Sequence, residues 1–128
     1  MEKKKKNQQP TRGAASQADH TITISEAFGV YWVDKRKLHT RPKKTVQFQN
    51  STGDDIVIFF PEGGLFKELP ADYQVVSIPA APGSNTCRFT VQGAQIGKKD
   101  NHFPYAVYCR ETGEFAIANS NPEIIIDF

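Results

Sequence analysis

Apolar residues along this chain recur at every second position over short stretches. Ile22 and Ile24 share a face, as do Val46 and Phe48, then Cys87, Phe89 and Val91, then Tyr105, Val107 and Cys109, and finally Ile124, Ile126 and Phe128. Successive side chains of an extended backbone point to opposite sides, so a period of two predicts half-buried strands. Clusters of turn-forming residues punctuate them, at Asn50–Asp55, Pro61–Gly64, Ala81–Asn85, Lys98–Asn101 and Asn119–Pro122. Short strands, regular punctuation and no sustained 3.6-residue period predict an all-β sandwich or barrel. Leu65–Tyr73 is ambiguous, and Pro70 limits any helix there to about one turn.

The first twenty residues break this pattern. They are rich in Lys, Gln, Ala and Ser, with no large apolar side chain after Met1. Such a segment cannot bury enough surface to offset the entropy of ordering it, so residues 1–20 are expected to be a disordered basic tail before a single domain over 21–128. Lys3–Lys6 imitate the start of a signal peptide, but Asn7–Pro10 stand where an apolar stretch would have to follow. The apolar runs, such as Ile56–Phe60, are far shorter than the roughly 20 residues of a membrane span. A cytoplasmic location is the expectation for the sequence as given, with export the alternative if the N-terminus has been trimmed.

Charge changes the picture more than its total suggests. Residues 1–48 hold eleven Lys and Arg against four Asp and Glu, whereas residues 49–128 hold five against ten, so a net of +2 divides into +7 and −5. Either the N-terminal part meets an acidic partner or the two parts attract one another in the fold.

The order of segments resembles the cupredoxin family over most of residues 21–128. Thr21–Ile24 stands where that family has its first strand, Thr40–Asn50 resembles its approach of turn, threonine-valine strand and asparagine, and Asp55–Phe60 lies where its first histidine ligand is carried. Val76–Pro79 and Thr86–Val91 correspond to middle strands, and Tyr105–Cys109 to the penultimate strand that ends in cysteine, before Pro122–Asp127. The resemblance implies a Greek-key β-sandwich. It does not carry the family's chemistry with it.

A blue-copper centre needs two imidazoles and a thiolate, usually with an axial thioether. Here the first histidine's place falls near Asp54 or Asp55, and residues 110–128 contain neither histidine nor methionine. His20, His39 and His102 lie elsewhere; with 104–109 extended, His102 stands on the order of 20 Å from Cys109. No metal or other cofactor is therefore expected. Cys87 and Cys109 both look inward, either as one disulfide or, in a reducing compartment, as two buried thiols. Gly63-Gly64 is an isolated pair rather than a phosphate loop, Asp54 and Asp55 point to opposite faces as turn residues, and neither cysteine has a histidine beside it. No catalytic signature is present. Asn50-Ser-Thr52 fits a glycosylation acceptor and equally a turn.

Two surfaces remain as candidates for binding. Phe28, Val30 and Trp32 alternate onto one face, which a sandwich would turn to its core, leaving Lys35, Arg36, Lys37, Arg41, Lys43 and Lys44 as an exposed basic loop and strand edge. Leu65 and Phe66 follow the glycines of Pro61–Gly64 and could dock a partner from an end loop. The sequence thus predicts a metal-free, non-enzymatic interaction or structural module with an unidentified protein partner. The alternatives are weak nonspecific nucleic-acid binding through the basic part and copper-dependent electron transfer.

Overall fold

A computed structural model describes residues 17–92, 101–116 and 122–127. Residues 1–16 of the expected tail, most of the turns at 98–101 and 119–122, and Phe128 lie outside the described residues. Ten strands run in chain order: β1 (His20–Ala27), β2 (Val30–Val33), β3 (Lys37–Thr40), β4 (Thr45–Asn50), β5 (Ile56–Phe60), β6 (Gln74–Ile78), β7 (Thr86–Thr90), β8 (His102–Pro104), β9 (Ala106–Cys109) and β10 (Glu123–Ile126). One layer has the order β2-β1-β4-β7. The other is formed by β3-β10-β8 and β6-β5-β9, which meet because β8 and β9 are one strand interrupted at Tyr105. The Tyr105 amide continues the ladder by donating to the Pro122 carbonyl at 2.9 Å.

The alternation read from the sequence places the core between these layers. Ile22, Ile24, Val46, Phe48, Phe89 and Val91 of the first layer meet Ile56, Ile58, Phe60, Phe103, Tyr105, Val107, Ile124 and Ile126 of the second, all buried. Phe48 is the hub, with Phe60, Phe66, Phe89 and Tyr105 around it at centroid distances of 5.6–6.3 Å. Edge-to-face rings at this spacing add to the gain from area burial alone.

The structure differs from the expected one in β2 and at Leu65-Phe66. β2 is turned by one residue from its expected phase: Tyr31 and Val33 are buried, whereas Phe28, Val30 and Trp32 are exposed. The cause is the two-residue hairpin at Phe28-Gly29, both residues having positive φ (55° and 78°) as a type I′ turn requires. That turn pairs Ala27 with Val30 and hence Ile24 with Val33, so Val33 inherits the inward face of Ile24.

Leu65 and Phe66 are likewise not a docking surface, being 2% and 1% exposed. Phe66 stacks on Phe89 at 5.1 Å and closes one end of the core. Nor is the glycine-containing loop free. The Gly63 amide bonds Asp72, the Tyr73 amide donates to the Pro61 carbonyl at 3.2 Å, and a Cβ on Gly63 would press into the Pro70–Ala71 backbone.

Candidate functional site

Register decides which loops share an end. β1 is parallel to β4 with Ile24 opposite Asn50, so the hairpin tip at Phe28-Gly29 projects beyond the end of β4. β5 starts opposite Cys109, the last residue of β9, and opposite Ile78, the last of β6. One end of the sandwich therefore gathers the hairpin tip, the loop 51–55, the loop 79–85 and the turn 110–114, together with Cys109.

Asn50 ties these loops together. Its side-chain amide donates to the carbonyls of Asp54 (2.7 Å) and Ile78 (3.0 Å), and its oxygen accepts from the Thr52 amide (2.9 Å) and hydroxyl (2.6 Å). Asn50 is buried, so Asn50-Ser-Thr52 is a structural turn with no free amide to offer a sugar. Asp54 and Asp55 diverge as expected, Asp54 accepting the Tyr31 hydroxyl at 2.7 Å and Asp55 accepting the Ala80 amide at 3.0 Å.

Tyr31 brings Asp54 and Cys109 into one network, because the cysteine sulfur stands near the same phenol as a second, competing acceptor. Cys109 is 1% exposed. Burial pushes its thiol up, but hydrogen bonds from the Thr112 and Tyr31 hydroxyls and from the amides of Thr112 and Glu111 together pull it below the usual thiol range. The Tyr31 phenol is raised in turn, first by its bond to Cys109 and then by its bond to Asp54, since losing its proton would place a third anionic group beside two others.

These donors do not fit a blue-copper centre: they are one thiol, one phenol and one carboxylate, with no imidazole. His39 and His102 lie on the outer face of the second layer, with Nδ1 atoms at 3.2 Å from Asp127 and 2.9 Å from Glu123, and His20 opens β1 at the opposite end. Among the described residues, no three His, Cys, Asp or Glu side chains come together in a way that could hold a metal ion.

Cys87 and Cys109 are free thiols on different layers, Cys87 opposite Phe48 and Cys109 opposite Ile56, so the disulfide considered from sequence is not formed. Burial raises the Cys87 thiol, and Glu68 raises it further. Lys35, Arg36, Lys37 and Arg41 are exposed, as expected. Lys35 is nevertheless engaged, with Nζ at 2.6 Å from the Thr21 carbonyl and 3.1 Å from Asp34, and Lys37 lies 3.9 Å from Glu123.

From the sequence Phe28 was expected on the core face, and Tyr31 had no assigned role. Phe28 is fully exposed at 103% and holds a left-handed φ of 55°. The available signal was the X-Gly pair between two apolar runs, which marks a two-residue hairpin and sets the phase of β2.

No protein-family model matches the chain, and no curated protein matches it. Solved structures do. Amicyanin from Paracoccus versutus is similar at 11% identity over 89% of this chain and 88% of that one, with a TM-score of 0.51. A variant of amicyanin in its reduced state is similar at 17% identity over 91% and 90%, also at 0.51. At these identities the likeness shows the fold alone: a cupredoxin-like β-sandwich, whose penultimate strand ends in Cys109.

Proposed function

We propose that this chain is a non-enzymatic protein-interaction module, docking through the end of the sandwich that carries the Phe28 hairpin. The observation that carries this reading is Phe28 itself. A non-glycine residue in the left-handed region costs on the order of 1 kcal/mol, and a phenyl ring held in water recovers nothing for it within the monomer. Asn or Gly would satisfy the same turn without strain. Strain and exposure at one loop tip, on a rigid scaffold, are what an anchor residue for a partner's pocket would look like.

Charge narrows the partner. The loops of this end contain Asp54, Asp55, Glu111 and Glu114 against Arg110, and Glu26 of β1 lies next to the hairpin tip. A protein surface with an apolar pocket and a basic rim complements that pattern, and its association should weaken as salt rises. The test is quantitative capture by the full chain and by Phe28→Ser at two salt concentrations. The reading requires a partner that the variant loses and that salt weakens; equal capture by both proteins would sink it.

A second reading has one observation in its favour. Trp32 is exposed rather than in the core, on the same chain segment as the exposed Lys35, Arg36, Lys37 and Arg41. An aromatic beside cations suits stacking on single-stranded nucleic acid, although Lys35 and Lys37 already have carboxylate neighbours. Binding to an oligonucleotide that falls steeply with salt would support it. No binding at low salt would remove it.

A further inference from the structure

The second layer ends at β6, which has β5 on one side and, among the described residues, no strand on the other. Its sequence from Tyr73 to Pro79 carries no charge and no glycine, and no proline before Pro79. Exposed sheet edges are normally guarded by lysine, an inward charge, a bulge or a proline, because unpaired backbone groups recruit another strand. This edge has none of those devices among residues 74–78. It also presents apolar surface, with Tyr73 76% and Val75 58% exposed. Tyr73 stacks on Phe59 of the neighbouring strand at 6.2 Å and extends the apolar outer face, which runs on into a shallow cavity of about 190 Å³ at Phe59, Pro61 and Pro104.

The backbone pattern says which groups are on offer. Tyr73 donates to Pro61, and the pairs Val75–Phe59 and Ser77–Val57 continue that ladder, so the amides and carbonyls of Gln74, Val76 and Ile78 point away from β5. Of these, the Ile78 carbonyl already accepts from the Asn50 side chain at 3.0 Å.

We propose that β6 pairs antiparallel with β6 of a second copy of this chain, about a two-fold axis at Val76. In that register Val76 exchanges both backbone hydrogen bonds with its own counterpart, and each Ile78 amide donates to the Gln74 carbonyl of the other copy. Val75 lies beside Ser77 of the second copy. No charge meets a like charge, which is what makes a second copy the fitting occupant of this edge: a two-fold contact brings a patch against itself. The two outer apolar faces then become one. The Phe28 end is left free, so this inference does not depend on the docking reading above.

Sedimentation of the full chain over a concentration series tests the pairing. The expected result is a rise toward twice the monomer mass in the wild type, loss of that rise in Val75→Lys and Val76→Pro, and no change in Phe28→Ser. Proline is tolerated on an edge where its nitrogen faces outward, and Val75→Lys changes only an exposed side chain. Hydrogen exchange on the wild type keeps the test independent of the variants' folding. The Val76 amide should become protected as concentration rises, while the amides at the Phe28 turn do not. A monomer up to about 1 mM would overturn the proposal. So would a dimer that Val75→Lys leaves intact or that Phe28→Ser abolishes, the latter assigning self-association to the hairpin end instead.

Discussion

The Tyr31 hydroxyl donates to Asp54 at 2.7 Å, and through it the hairpin of the first layer is fastened to the loop entering β5, directly beside Cys109. Tyr31 has one proton and two acceptors competing for it. Replacing Tyr31 by Phe removes the donor while keeping the ring. The Cys109 thiol should then titrate at higher pH, because one of the hydrogen bonds that favours its anion is gone. Stability should fall by about 1–2 kcal/mol, limited because Asp54 can regain water. Thiolate ultraviolet absorbance against pH, with Cys87→Ala as background, reads the first effect. An unchanged Cys109 titration would mean that the phenol does not reach the sulfur.

Phe28 is expected to trade stability for binding. Asn at position 28 adopts positive φ with less strain and leaves no phenyl ring in water, so Phe28→Asn should raise the unfolding free energy by about 0.5–1 kcal/mol while abolishing docking. Urea denaturation gives the first quantity. A variant less stable than the wild type would show that the ring supports the fold.

The strands could be read from the sequence because each buries one face, and a period of two survives even in four-residue strands such as Ala106–Cys109. The inward set Cys87, Phe89 and Val91 was legible for the same reason. β2 was not, because Tyr31, Trp32 and Val33 are apolar at both parities and hydropathy alone cannot choose a phase. Only the register passed on by the Phe28-Gly29 turn does so. Leu65 and Phe66 misled in the opposite sense: a loop with two glycines looks exposed, yet Phe66 reaches back to Phe48, Phe60 and Phe89. Truncating Phe66 to Ala should accordingly cost about 3–5 kcal/mol. The site was half legible. Cys109 and Asp54 stood out in sequence, whereas Tyr31, 23 residues before Asp54, is joined to them only by the fold.

Tyr105 carries a buried hydroxyl with no hydrogen-bond partner among the described residues, and burial, with a smaller push from Asp34, raises its phenol well above the usual range. An unsatisfied buried hydroxyl is a net cost. Tyr105→Phe keeps the ring contacts with Phe48 and Phe60 and should therefore stabilise the protein by about 1 kcal/mol. A loss of stability, followed as a lower urea midpoint, would reveal a partner for that hydroxyl.

Asp19 fastens the start of β4. Its carboxylate accepts the Thr45 amide at 2.9 Å and the Thr45 hydroxyl at 3.1 Å, and the Asp19 amide donates back to that hydroxyl at 2.9 Å. The bond from the Thr45 amide, then that from its hydroxyl, holds this carboxyl below the usual value of 3.8. A depressed folded-state pKa gives stability that is present above 3.8 and lost as pH falls through the lower folded value. The urea midpoint of the wild type should thus decline in that acid window. Asp19→Asn should start lower and decline less, and parallel curves for the two proteins would exclude the linkage.

The end of the sandwich carrying Cys109 sets a phenol and a carboxylate near the thiol, and no imidazole, so it is not expected to hold copper as a blue-copper centre does. A titration of the reduced full chain with Cu(II) and, separately, Cu(I), following the visible spectrum and Trp32 fluorescence against Cys109→Ser, tests it most directly. The expected result is no intense thiolate-to-copper band, and the same weak response from the variant as from the wild type. An intense band that disappears in Cys109→Ser would contradict it and make this sandwich a copper protein.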